Sequence, residues 1–244
     1  MMEAGSPRVS TRRGRPARTQ PDTPAARPPV ERPVPLRHAV YDVIAEMIIT
    51  GELSPGKHLV ETDLAAQLGV SRQPVREALQ RLHTEGWIDL RPALGAFVHE
   101  PTEEEADQLL ATRTLLEAES ARLAARRATA EHVERLWELQ RVGEKALRNP
   151  DREGLVAANA ALHAYVVSMS GNMVLAELIA LVDRRVRWYY RPIAQLRAKE
   201  AWDEHRELIE VIASGNSRRA GELMRRHTER TRESYHQVVA GRRL

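Results

Sequence analysis

At 244 residues and 42% hydrophobic content the chain is long enough for two modest cores, and the absence of cysteine excludes disulfide frameworks, thiolate metal sites and cysteine nucleophiles. No run approaches the roughly 18 apolar residues of a membrane span and the amino terminus lacks the apolar core of a signal peptide, so a cytoplasmic protein with no membrane partner is expected. The net charge of +3 is unevenly placed: residues 1–35 hold seven arginines against Glu3, Asp22 and Glu31, whereas residues 36–100 hold six basic against nine acidic side chains, so bulk attraction does not draw the folded part to nucleic acid.

In chain order, residues 1–35 are rich in proline and arginine, lack any apolar period, and are expected to be a disordered basic tail. Arg12-Arg13-Gly14-Arg15-Pro16 is similar to the core of an AT-hook that lies in a narrow minor groove, although a solvated tail with generic phosphate affinity fits the same residues. Val40, Val43, Ile44, Met47 and Ile48 repeat at helical spacing and the segment Gly51 to Gly56 ends that helix. Between Leu64 and Leu82 two short helical patterns flank a turn at Gly69. Ser71 stands at an N-cap position, and Val75, Ala78, Leu79 and Leu82 form the second apolar stripe. Gln73, Arg76 and Gln80 share the opposite face, and Arg72 sits in the first turn. Arginine and glutamine beside a helix N-terminus suit phosphates and base edges. Two short runs, Trp87 to Arg91 and Ala96 to Val98, surround a Pro92 to Gly95 turn and predict a β-hairpin, the wing of a winged helix.

Leu68-Gly69-Val70-Ser71-Arg72, then Pro74-Val75-Arg76-Glu77-Ala78-Leu79, Glu85-Gly86 and a hairpin ending Gly95-Ala96-Phe97-Val98, resembles the amino-terminal domain of the GntR family of bacterial transcription regulators. The resemblance implies that Thr62, Ser71, Arg72, Gln73 and Arg76 meet double-stranded DNA in the major groove or at its phosphates. The wing tip near Gly95 would enter the minor groove, and a homodimer would bind an inverted-repeat operator.

From Thr102-Glu103-Glu104-Glu105, a capping-box start, the pattern is helical throughout. Helices are expected at about 103–128, 130–148, 151–170, 173–194, 199–214 and 216–239, with breaks near Asn149-Pro150, Gly171-Asn172, Arg197 and Gly215-Asn216. The fold class is thus mainly α, with a disordered tail over 1–35, a winged helix-turn-helix over 36–100 and an all-helical bundle over 101–244. His163, His205 and His227 each fall on the inward stripe of a different helix, and Asn159 precedes His163 by one turn. Neutral imidazoles suit zinc or nickel, whereas any one of them alone is more simply a core histidine. Arg113 falls within an apolar stripe, where its fork suits either an anionic ligand or Glu117 one turn on. Trp188-Tyr189-Tyr190 could line the pocket or pack a dimer face.

Arg113-Thr-Leu-Leu-Glu117, His163 in an Asn-x-x-x-His frame, and Glu204-His205 with His227 downstream resemble the FCD ligand-sensing domain of the FadR subfamily. Six helices would favour its VanR-like branch. The resemblance implies a divalent metal on Asn159, His163, His205 and His227, with Arg113 helping to hold a small carboxylate effector. In many relatives the first ligand is aspartate. Asparagine leaves the ion more positive charge and more dependence on an anionic effector, and it keeps an empty or effector-only pocket open. The expected function is a transcription regulator, not an enzyme: a repressor relieved by a metabolite. A metal-dependent hydrolase on the three histidines and an architectural DNA-binding protein are the alternatives. No HExxH supports the first, for which Glu204 and Glu207 are the general-base candidates though neither is clearly placed, and only the arginine tail supports the second.

Overall fold

The computed structural model describes Met1, residues 36–149 and residues 151–241, excluding the side chains of 239–241; the Arg12 to Pro16 segment and the rest of the basic tail lie outside the described residues. The first helix, α1 (Leu36–Ile49), buries Val40, Tyr41, Ile44, Ala45, Met47, Ile48 and Ile49. Val43, expected on that stripe, is instead 46% exposed. A two-residue strand β1 (His58–Leu59) leads into α2 (Glu61–Leu68), which ends on Gly69 in the left-handed conformation (φ 65°). Then α3 (Arg72–Thr84) starts from an extended Ser71, with Pro74 in the first turn where no intrahelical amide bond is lost.

The expected hairpin is β2 (Ile88–Arg91) and β3 (Gly95–Val98), paired antiparallel with Ile88 opposite Val98 and Arg91 opposite Gly95. Sequence patterning missed β1, which pairs with β3 to complete a three-stranded sheet in the order β1-β3-β2. Two residues are too few to show a period of two.

Six α-helices follow among the described residues: α4 (Glu103–Arg127), α5 (Ala130–Leu147), α6 (Arg152–Met169), α7 (Met173–Tyr190), α8 (Ala194–Ala213) and α9 (Ser217–Gly241). Local chemistry sets their starts. Glu105 N–H donates to Thr102 Oγ1 (3.1 Å) while Thr102 N–H donates to Glu105 Oε2 (2.8 Å), and Asp151 and Asn172 cap α6 and α7. The break expected near Arg197 lies earlier, at a 3₁₀ turn Arg191–Ile193. Pro192 lacks an N–H and cannot continue the ladder, so the chain bends there rather than at the arginine.

Two cores result. One fills the winged helix and continues into Trp188, Tyr189, Tyr190, Ile193 and Tyr235. The other lies inside the bundle around Leu136, Leu162, Val166, Trp202, Leu208, Ile209, Ile212 and Met224. Trp188 and Tyr189 thus pack in the core between the winged helix and the bundle, while Tyr190 lies within reach of the charges of Arg113, Arg197 and Glu204. Trp188 stacks on Trp87 with ring centres 5.6 Å apart, and Tyr189 meets Tyr235 edge-on at 5.7 Å. No described helix is long and apolar enough to cross a membrane.

Candidate functional site

The bundle brings His163 of α6, His205 of α8 and His227 of α9 together in its interior, each at most 4% exposed. Their ligand nitrogens all lie within 4.8 Å of one another. His205 Nε2 stands 3.2 Å from His163 Nε2 and 3.2 Å from His227 Nε2.

The outer nitrogens explain how the rings are oriented. His163 Nδ1–H donates to Glu117 Oε2 (2.5 Å) and His227 Nδ1–H to Glu204 Oε2 (2.7 Å). With that proton outward, a neutral His227 presents its Nε2 lone pair to the centre, and the Nε2 of His163 is turned to the same point. Burial, reinforced by the charges of neighbouring groups, lowers His205 well below the ordinary histidine value. Burial also pushes His227 down to about 4, although Glu204 works the other way, so both rings stay neutral near pH 7. The three ring nitrogens thus converge on one point in the buried interior of the bundle. Such a focus of lone pairs is unfavourable alone and suits a divalent cation, and carboxylates behind metal-binding imidazoles are the usual means of orienting them.

Both carboxylates are themselves held. Arg113 Nε donates to Glu117 Oε1 (2.8 Å); burial would raise the Glu117 pKa, but Arg113 and His163 outweigh it and keep it well below the usual carboxylate range. Glu204 accepts from Arg197 Nη2 (2.8 Å) and Arg230 Nη1 (2.7 Å); burial opposes its ionisation, yet His227 and these arginines bring it down to about 2. Glu117 and Glu204 were legible only as neighbours, the first one turn from Arg113 and the second adjacent to His205. Arg197, read as a helix break, is a buried member of the same network.

Asn159 is 4% exposed, and its Oδ1 has no hydrogen-bond partner. Arg113 Nη1 is likewise buried without a partner, even though Glu117 already neutralises its charge. A buried orphan donor and a buried orphan acceptor beside the histidines mark unmet polar capacity that an ion with its ligand would use. On α7, Asp183 is raised by burial and feels the charges of Arg113, Glu117 and His163. Tyr190, pushed to about 12 by burial, feels Arg113, Arg197 and Glu204.

At the other end of the molecule, Thr62, Ser71, Arg72, Gln73, Arg76 and Gly95 are all exposed. Thr62, Arg72, Arg76 and Gly95 line one cleft between α3 and the wing, and Gln73 donates to Glu77 Oε1 (2.8 Å) on the outer face of α3. Gly95 has φ 97°, and a Cβ there would lie 2.9 Å from His58 Nε2, so the wing turn requires glycine. Arg91 covers Phe97 at 4.3 Å and His58 stacks on the same ring at 4.7 Å, which stiffens the wing base.

The helix α7 joins the two ends. Arg184 pairs with Asp42 (2.6 Å), Arg187 pairs with Glu46 (2.7 Å), and Arg185 Nη2 donates to the carbonyl of Glu85, the residue that caps α3.

Comparison with known proteins gives two family matches, to "bacterial regulatory proteins, gntR family" over residues 36–98 and to the FCD domain over residues 108–230. An uncharacterized HTH-type transcriptional regulator in an unstable DNA locus of Streptomyces ambofaciens is 32% identical over 197 residues, covering 78% of this chain and 81% of that protein. A protein of Paenarthrobacter nicotinovorans assigned as the transcriptional repressor of a D-xylose utilization operon is 27% identical, covering 77% and 83%. A solved structure from Rhodococcus sp. RHA1, assigned as a GntR transcriptional regulator, superposes with a TM-score of 0.71 at 25% identity, covering 82% and 96%.

Proposed function

Because the chain belongs to the gntR family of bacterial regulatory proteins and carries an FCD domain, we propose that it is a homodimeric repressor whose operator affinity is set by a small carboxylate metabolite held at a divalent metal. Its family and its relatives are transcription regulators, so the hydrolase reading falls away. Residues 36–100 read DNA and residues 101–244 sense the metabolite, with six helices in the latter as in the VanR-like branch. The repressor assignment draws on the P. nicotinovorans relative. The compartment is the cytoplasm.

The observation that carries the sensing function is the meeting of His163, His205 and His227 through their inner nitrogens while carboxylates orient two of them from outside. These histidines, with Asn159, would hold the ion. Zinc or nickel fits three imidazoles and an amide oxygen, and when bound the ion supplies a positive centre for an anionic ligand. Arg113, through its free Nη1, orients the ligand carboxylate.

Thr62, Ser71, Arg72, Gln73 and Arg76 meet the major groove or its phosphates, and the turn at Gly95 approaches the minor groove. Communication runs through α7, which carries Asp183 and Tyr190 near the sensor and grips α1 and the end of α3 with its arginines. A ligand that favours one setting of α7 changes operator affinity by its coupling energy, typically about 1–3 kcal/mol.

Metal analysis of the purified protein against His163→Ala and His205→Ala tests the sensor. Stoichiometric metal in the wild type and loss in both variants is expected, and equal content in all three refutes the site. Arg76→Ala tests the reading face by abolishing sequence-specific binding.

A further inference from the structure

We infer that Glu61 is a specificity-determining positioning residue of the DNA-reading face: it aims Arg76 at a base and keeps both reading arginines from binding phosphate indiscriminately. The inference rests on the assignment of Arg72 and Arg76 to DNA.

Glu61 is the first residue of α2 and lies across the cleft from the start of α3. Its Oε1 accepts from Arg76 Nε (3.0 Å), and its Oε2 accepts from Arg76 Nη2 (2.8 Å) and Arg72 Nη2 (3.2 Å). The two arginine side chains remain 59% and 50% exposed, so the clamp does not bury what it holds.

The edge by which Arg76 is held matters. Glu61 takes the side edge of the guanidinium, formed by Nε and one hydrogen of Nη2. The end fork, formed by Nη1 and the second hydrogen of Nη2, stays free, and that fork matches the O6 and N7 atoms of a guanine. A long side chain that would otherwise sample many rotamers is thus fixed before DNA arrives, which cuts the ordering cost of binding.

The same carboxylate sets a charge balance. Two arginines share one glutamate on a domain segment that carries an excess of acid overall, so Glu61 repels an anionic phosphate that approaches either guanidinium. An uncharged guanine edge, met by the free fork of Arg76, is not repelled. The clamp thereby penalises backbone-only binding more than base reading.

The test uses the full chain and two duplexes: one selected by the wild-type protein from random sequence, and a scrambled version of the same composition. Glu61→Gln keeps the shape but loses the charge and one of the two acceptors on Arg76. It is expected to bind the scrambled duplex several-fold more tightly, with a salt slope steeper by about one, since roughly 0.9 is gained per additional phosphate. The ratio of selected to scrambled affinity is expected to fall about tenfold, and Glu61→Asp should restore part of it. An unchanged ratio and slope, or equal losses on both duplexes, overturns the inference. If Arg76→Ala retains the selected-duplex affinity, the reading face itself is wrongly assigned, a failure distinct from that of Glu61.

Discussion

Arg113 illustrates what burial does to a single residue. Its apolar surroundings demand an anion, and Glu117 supplies one on the same helix at 2.8 Å. That pair is not an end in itself, because the second Glu117 oxygen reaches His163 and turns the ring inward. Glu204 does the same for His227 while Arg197 and Arg230 hold it ionised. Glu204→Gln is therefore expected to weaken divalent-metal affinity about 10–100-fold with the fold intact. Competition against a chromophoric chelator measures it, and wild-type affinity in the variant would remove Glu204 from the site. Sequence patterning could place each of these residues on an inward face, but not which nitrogen of which ring faces which partner.

Among the elements, α5 and α8 show how close packing is set by one glycine. A Cβ on Gly143 would fall 1.9–2.4 Å from ring carbons of Trp202, which is 1% exposed. Gly143→Ala should therefore cost about 1–3 kcal/mol despite its better helix propensity, because the ring has nowhere to move. A lowered urea midpoint is the expected readout, and an unchanged midpoint would mean that the two helices part freely. Trp202 also meets His205 edge-on at 4.8 Å, so the same displacement should loosen the histidine cluster. Helix starts were readable because Thr102, Asp151 and Asn172 cap them locally. The bend at Pro192 was misplaced because apolar residues continue through it and periodicity outweighed the missing amide.

For the whole molecule, the winged helix shares its hydrophobic core with the near end of the bundle, where Trp188 stacks on Trp87. Trp188→Ala should cut the change in operator affinity caused by metal and metabolite, while metal content stays at the wild-type level. Titration of DNA binding with and without ligand checks this, and undiminished coupling would show that communication bypasses α7. The other surface of α7 presents Val174, Leu178 and Leu181, which are 65%, 46% and 78% exposed at i, i+4 and i+7. A second copy of the chain covering that row would give the twofold symmetry that an inverted repeat requires. Sedimentation of Leu181→Arg should then show a monomer that retains its helical content. A persistent dimer would move the interface elsewhere.

What the sequence determined by itself was local: the helical stripes, their caps, the turn at Gly69, the wing hairpin and the inward placement of the histidines all follow from contacts within a few residues. Only the tertiary structure decided what those faces meet. His163 and His205 are 42 residues apart, Arg76 and Glu61 are 15 apart, and Arg184 and Asp42 are 142 apart. No backbone preference encodes such distances. They are set by how whole helices pack, and the lone-pair focus, the Glu61 clamp and the α7 bridge exist only once that packing has brought the side chains together.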